Sequence, residues 1–437
     1  KYSSAGSLLW AKNIGMTYIQ EGQALAISNG QLILTGSYSN GQTDLDPGAG
    51  TELTPLIYSH GAFMSKFDTS GNFIWGKSFP SFSASSIKTV KIDANNNIVI
   101  GGSFQYTVDL DPSAATATIA ASATDGFIAK YDSNGNYIWG FKIGSTQTDI
   151  VNDLTIDANN NIYCVGSYIY TVNVNPLGTA VNLNTGGFAS SNVFLAKYGS
   201  NGILKWANQI GSSSIDAPSS IKLDSQGNIV YAGTFGGVVD FDPSPSNSSI
   251  TSSGTSDIFI SKIDTANNFV WALRYGSPSS PDGIGQIAID NADNIIATGM
   301  MNPSINFHPT GTYNVSGKGG SDSYLAKYSS SGLLVWAYPI GGSGSDWGMA
   351  VDVFKGDNTI YTTGYFNSTN LDVDISSTTN TTITVNGGDD IFIAKYNQCE
   401  IVPPPTNTTP LANLKVCPGS TTNLSATATG TINWYYS

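Results

Sequence analysis

Six tryptophans, Trp10, Trp75, Trp139, Trp206, Trp271 and Trp336, stand 65, 64, 67, 65 and 65 residues apart. Each closes the same local pattern, clearest in DGFIAKYDSNGNYIWGFKIG (125–144), DIFISKIDTANNFVWALRYG (257–276) and DSYLAKYSSSGLLVWAYPIG (322–341). So regular a period means one unit copied along or around an axis, each copy burying its apolar surface against the next. The framework residues recur, and whatever is recognised falls to the loops that vary between copies.

Each unit reads as four short strands, in the second unit 86–93, 97–104, 126–131 and 136–143. An Asn-rich turn (DANNN, 93–97) joins the first pair, and DSNGN or a relative joins the second, with Gly or Asn accepting positive φ. Between the second and third strands lies a loop of about twenty residues, a length more often functional than connective. The composition agrees with strands: 48 Gly and 22 Tyr, with no 3.6-period apolar stripe longer than two turns.

The ends of the array choose between a solenoid and a ring. The chain opens on a lone fourth strand, SLLWAKNIG (7–15), and the repeats end on a lone third strand, DDIFIAKYN (389–397). Pairing these two would complete the last sheet, and no polar capping unit of a solenoid is visible. The expected fold is all-β: a six-bladed β-propeller of four-stranded blades over 1–397, closed by 7–15 against 389–397. A Pro-rich linker (398–410) and a partial β-sandwich fragment (411–437) follow. Because the chain opens at KYSSAG, inside a unit, it reads as the processed part of a longer precursor.

Charge narrows the partners. The net charge is −13 and Arg274 is the one arginine, so clustered cations for nucleic acid or anionic membrane are lacking. No apolar run approaches the roughly 18 residues of a spanning helix. Of three cysteines, Cys164 lies in an apolar strand (IYCVGSY), whereas Cys399 and Cys417 flank the Pro-rich stretch and either pair with each other or with other chains.

The stretch WAYPIGGSGSDWGMAVDVFKGDNTIYTTGYF (336–366) resembles the bacterial SBBP β-propeller repeat: W…GG-x-G-x-D, an apolar strand ending in Asp, a turn, and a strand ending in Gly-aromatic. The likeness recurs in all six units, with GG-x-G-x-D loose in the first two. Residues 411–437 resemble the opening strands of the immunoglobulin-like modules of Bacteroidetes surface proteins. These resemblances imply an extracellular or cell-surface protein without assigned chemistry. They also imply export by that phylum's outer-membrane (type IX) secretion machinery, a part in attachment or gliding motility, and neighbouring domains in one long chain.

Antiparallel order puts the two tight turns on one face of the ring and the long loops on the other, where binding is expected. Each long loop opens on an acidic signature: Asp44-Leu-Asp46-Pro, Asp109-Leu-Asp111-Pro and Asp240-Phe-Asp242-Pro. Degenerate copies are Asn173-Val-Asn175-Pro, Asn306-Phe-His308-Pro and Asp372-Val-Asp374-Ile. Residues i and i+2 of an extended segment share a side, which suits Ca²⁺ with loop carbonyls completing its six to eight oxygens. The competing reading is local capping of backbone N–H groups, favoured by the Asn and His replacements. Glu21, Asp149, Asp216, Asp282 and Asp346 precede the innermost strands and read as channel-mouth groups or strand-start caps. The repeated Lys66, Lys130, Lys197, Lys262, Lys327 and Lys395 lie along blade surfaces or pair with these acids, and the tryptophans pack between blades.

Catalysis finds little support. D-x-x-G-N-x-x-W resembles a sialidase turn, but one arginine cannot clamp a substrate carboxylate. His60 and His308 give neither a zinc triad nor a Ser-His-acid set, and no acid pair stands out for a carboxylate glycosidase. The expected function is a non-enzymatic structural or adhesive module with a glycan or protein ligand, the alternative a calcium-dependent lectin. Loops such as 112–126 and 243–257 hold no aromatic side chain, which favours the former.

Overall fold

Strands fall in the order the period predicts, and no helix occurs among the described residues of this computed structural model. Those are 1–16, 19–80, 85–187, 190–278, 281–375 and 381–398. Five sheets have four strands in simple antiparallel succession. They comprise Gln20–Ser28 to Phe73–Pro80, Ser85–Ile92 to Tyr137–Ile143, Asp149–Ile156 to Leu204–Ile210, Ala217–Leu223 to Phe269–Tyr275, and Gly283–Ile289 to Leu334–Ile340. A sixth has three strands, Asp346–Phe354, Thr359–Phe366 and Asp390–Tyr396. These are blades 1 to 6 of a six-bladed β-propeller, with the first strands of successive blades side by side.

The core is a series of layers between blades. Ile33, Ala62 and Met64 of blade 1 meet Ile87, Val90, Ile98 and Ile100 of blade 2, and the other interfaces repeat the scheme. Second and third strands are therefore apolar on both sides, as in the wholly buried Asp257–Ile263. Each such aliphatic side chain contributes roughly 1.5–3 kcal/mol on burial. Cys164 is one of these core groups, its thiol pushed up by burial, whereas Cys399 and Cys417 lie outside the described residues.

Polar staples fix the blade spacing. In blade 2, Lys130 and Trp139 are cross-strand partners. Lys130 Nζ and Trp139 Nε1 both donate to Ser200 O, in the turn between the last two strands of blade 3, at 3.3 Å each. Lys262 and Trp271 of blade 4 do the same to Ser330 O of blade 5, at 3.4 and 3.2 Å. The indole covers the turn glycine: a Cβ on Gly202, whose φ is +79°, would come within 3.4 Å of the Trp139 ring. The tryptophans thus pack between blades, as their spacing suggests.

The lysines pair differently from expectation. Lys130, Lys262 and Lys327 bind Asp93, Asp224 and Asp290 at 2.7, 2.8 and 2.7 Å, and not the acids before the innermost strands. Those partners sit in the tight turn between the first two strands, at the same end of the blade as the lysine. Each turn aspartate is itself organised: Asp93 Oδ1 accepts Asn95 N and Asn97 N at 2.9 and 2.8 Å.

The expected pairing of 7–15 with 389–397 is not among the strand pairings of the described residues. Lys1 and Tyr2 already fill the place of Lys130 and Tyr131 in the aligned KYSSAGSLLW and KYDSNGNYIW. Tyr2 therefore bridges Leu8, and the amino terminus folds as a hairpin of its own. The strand bounds also grow: blade 2 runs through Ile98–Asp109 and Thr118–Tyr131, because its long loop continues as a ladder. In blades 3 to 6 that loop forms a short separate hairpin such as Val238–Asp240 with Ser249–Thr251.

Trp139→Ala, which removes the indole from Gly202 and one donor from Ser200 O, is expected to cost about 3 kcal/mol in urea unfolding. Gly202→Ala, at positive φ and under the ring, is expected to cost about 1–2 kcal/mol.

Candidate functional site

The Asp-x-Asp-Pro segments anchor the long loops. Asp109 Oδ1 accepts Asp111 N and Ala117 N at 3.0 and 2.8 Å, and Asp111 Oδ1 accepts Ser113 N at 2.9 Å. Asp44 and Asp240 do the same for Asp46 N and Glu52 N, and for Asp242 N and Ser248 N. Asp46 and Asp242 hold Gly48 N and Ser244 N. Asn173 Oδ1 makes equivalent bonds to Asn175 N and Val181 N, so the asparagine copies are functional equivalents in this role.

The middle residue explains the motif. Leu45, Leu110, Val174, Phe241 and Phe307 are buried in the blade layers, while the flanking acids stay half-buried. The tyrosine that follows the repeated lysine locks the segment: Tyr131 OH donates to Leu110 O at 2.8 Å, Tyr198 OH to Val174 O at 2.7 Å, and Tyr328 OH to Phe307 O at 3.0 Å. The loops therefore turn back as wedges between blades, and Gly144 of blade 2 bridges Asn173 of blade 3. Among the described residues no three of His, Cys, Asp or Glu come together in a group fit to hold a metal ion.

The acids before the innermost strands behave otherwise. Asp149, Asp216, Asp282 and Asp346 are buried, and Glu21 is exposed. Burial pushes the Asp149 carboxyl up to about 7, reinforced by the neighbouring Asp125, against a 2.8 Å bond from Ser145 Oγ. Asp216 and Asp282 are each raised by burial to about 6. Reading the sequence alone missed their partners at the start of the third strands. Asp125 is ion-paired to Lys142 at 2.8 Å, Asp257 to Arg274 at 2.6 Å, and burial raises Asp322 to about 6 with Asp346 repelling it. The signal was the Asp opening DGF, DIF and DSY, together with the glycine that follows the fourth strands of blades 2 to 5, Gly144, Gly211, Gly276 and Gly341. A Cβ on Gly144 or Gly276 would strike Asp125 or Asp257.

Two features break the repeat. Asp153 takes the place of Ala24, Thr89, Ser220, Gln286 and Ala350 on the first strands. It accepts Thr89 Oγ1 at 2.8 Å and Ile221 N at 3.0 Å, and lies 3.3 and 3.6 Å from Lys222 and Lys91. Burial alone would raise its carboxyl, but Lys222 and Lys91 hold it down to about 2. It joins the first strands of blades 2, 3 and 4. The second feature is a pair of exposed tyrosines at φ +58° and +63°: Tyr106 at the bulge within Ile98–Asp109 of blade 2, and Tyr170 just after Ile162–Ile169 of blade 3. Blade 4 has Gly237 there, at φ +67°. Bulky side chains in this region carry backbone strain of about 1–2 kcal/mol, and such strain concentrates at functional positions.

No family model matches the chain. It is 27% identical over 477 residues to an uncharacterised WD repeat-containing protein of Acanthamoeba polyphaga mimivirus, across 91% of this chain and 34% of that one. The chain thus spans about a third of that relative's length. A protein of unknown function from Bacteroides caccae matches 73% of the chain and 82% of its own, at TM-score 0.34 and 12% identity. Pyrococcus horikoshii acylaminoacyl peptidase matches 85% of the chain and 52% of its own, at TM-score 0.36 and 10% identity.

Asp109→Asn keeps both backbone bonds and is expected to stay within about 0.5 kcal/mol of wild type, whereas Asp109→Ala should lose about 1–2 kcal/mol by urea titration. A calcium site in this loop would instead make the melting temperature calcium-dependent and cancel that dependence in both variants.

The raised carboxyls set a pH dependence. Asp149, Asp216, Asp282 and Asp322 hold protons when folded that they release when unfolded, so their contribution is complete below about pH 4 and lost as pH rises through 6 to 7. The depressed Asp153 contributes above about pH 4 and is lost as pH falls towards 2. The melting temperature is expected to be highest near pH 4–5 and to fall towards neutrality, less steeply in Asp149→Asn.

Proposed function

We propose that this propeller is a non-enzymatic interaction module of a larger extracellular protein, engaging a glycan or protein through the face that carries Tyr106 and Tyr170. The observation that carries the reading is the contrast between the repeated polar groups and these two tyrosines. The acids of the loop motif are committed to backbone N–H groups. The aspartates at the strand starts are buried, Asp149 against Ser145, Asp125 against Lys142 and Asp257 against Arg274, with Glu21 alone of the acids before the innermost strands exposed. Neither set offers a reactive carboxylate in an open cleft. The tyrosines are exposed, depart from the repeat and occupy adjacent blades. Exposed rings of this kind suit flat contacts with sugars or protein surfaces. The structural and adhesive setting, the surface location and export through an outer-membrane secretion machinery rest on the resemblance of 336–366 and 411–437 to repeats and modules of bacterial surface proteins.

Beads coated with the protein are expected to be retained under flow on a mucin-coated surface, with EDTA making no difference, and Tyr106→Ser/Tyr170→Ser to lose that retention. Nitrophenyl glycoside and peptide substrates should remain intact. Turnover of any of them, or retention indifferent to both tyrosines, would reject this reading. Calcium-dependent capture on a glycan array would replace it with a lectin.

A further inference from the structure

The two ends of the blade array leave apolar flanks that every internal blade buries. Strand register places Leu25 of blade 1 where the other blades have Val90, Leu154, Ile221, Ile287 and Val351. All five are buried, but Leu25 is 53% exposed and Ile27, two residues on, 65%. On the far flank, Ile393 of blade 6 takes the place of Met64, Ile128, Leu195, Ile260 and Leu325. Those five are 0% exposed, against 61% for Ile393 and 78% for Ile391. Each flank is thus one half of an interface whose other half appears five times within the molecule.

What stands between the flanks is the amino-terminal hairpin, and it behaves as the outer edge of a blade. Lys1 Nζ and Trp10 Nε1 both donate to Thr69 O of blade 1, at 2.8 and 3.3 Å. That is the staple by which blade 2 holds blade 3 and blade 4 holds blade 5. On its other side, Lys395 Nζ of blade 6 donates to Ser4 O at 2.9 Å, as Lys66 of blade 1 does to Ser133 O of blade 2 at 2.6 Å. The hairpin is therefore spaced as a successor to blade 6 and a predecessor to blade 1. Inward of it lies a cavity of about 400 Å³ lined by Trp10, Ile14, Leu25, Ile27, Leu34 and Phe67.

We propose that this opening is the seat of a seventh blade. Its fourth strand is the segment around Leu8–Ile14, and its occupant is the first three strands of one more unit of this repeat, running into Lys1 in the chain order of every other blade. The interface fixes the occupant's chemistry: strands apolar on both faces, with Leu, Ile or Val opposite Leu25 and Ile393. Residues 411–437 do not meet that description. They contain no aspartate for the Asp-x-x-x-Asn turn and alternate apolar residues with Ser and Thr.

The test is to join residues 212–261, a unit that ends where Lys262 would follow, directly ahead of Lys1 in the full 437-residue chain. Seating of this unit is expected to raise the melting temperature by more than about 5 °C. It should also slow amide exchange in Gln20–Ser28 and Asp390–Tyr396 at least tenfold. The same fusion carrying Ile260→Asp, which puts a charge against Leu25, should lose both effects while the chain beneath it stays folded. The proposal is overturned if the added unit exchanges freely and leaves the two strands unchanged. It is equally overturned if the original chain already protects them, by closing blade 6 onto blade 1 or by pairing flanks between two copies.

Discussion

A turn carbonyl that accepts both an ammonium and an indole N–H ties neighbouring units together at three places among the described residues. Ser200 O receives an ammonium and an indole N–H from the preceding blade, Ser330 O receives the same pair, and Thr69 O receives them from the amino-terminal hairpin. A tight turn presents that carbonyl, and the glycine of the turn, Gly71, Gly202 or Gly332, lets the indole of Trp10, Trp139 or Trp271 lie close against it. Hydrogen bonds to charged donors contribute more than neutral ones, and here they are shielded by the ring. At these junctions the contact ties the outer strands of one unit to the turn of the next, beside the apolar layer between them.

The loop architecture hangs from the same strand. The residue after the stapling lysine is a tyrosine whose hydroxyl reaches the carbonyl between the two acids of the loop motif. A Lys-Tyr dipeptide thus points one side chain to the next blade and the other to its own loop, as alternation along a strand requires. The acids of the loop motif then have a structural task, and three other side chains depart from the repeat. Tyr106, Tyr170 and Asp153 do so, the first two outward and the last in a bridge among first strands.

Much of this was legible in the chain itself. The 65-residue spacing of the tryptophans carries the blade count, because an interface repeated around an axis imprints its period on the sequence. Alternation and turn residues gave the strand order. What escaped depends on how segments fold back. The loop motif looked like paired oxygens on one side of a strand, since nothing local shows Leu110 or Phe241 plugging a layer. Asp149 was visible as a repeated acid, but its neighbour Asp125 gains meaning only when two strand starts meet in space. KYSSAGSLLW matched KYDSNGNYIW from the first residue, yet counting strands favoured reading 7–15 alone. The positive φ of two tyrosines has no sequence signature at all, because Asn or Gly is what such a position normally takes.

The central claim is that the staples make separate four-stranded blades into one cooperative body, and native-state hydrogen exchange in rising denaturant tests it most directly. The account predicts that the strands of blades 2 to 5 open together, with one free energy and one denaturant dependence. Gln20–Ser28 and Asp390–Tyr396, at the uncovered flanks, should open earlier. Blades that each open at their own denaturant concentration would contradict it, because the contacts between them would then be packing without coupling.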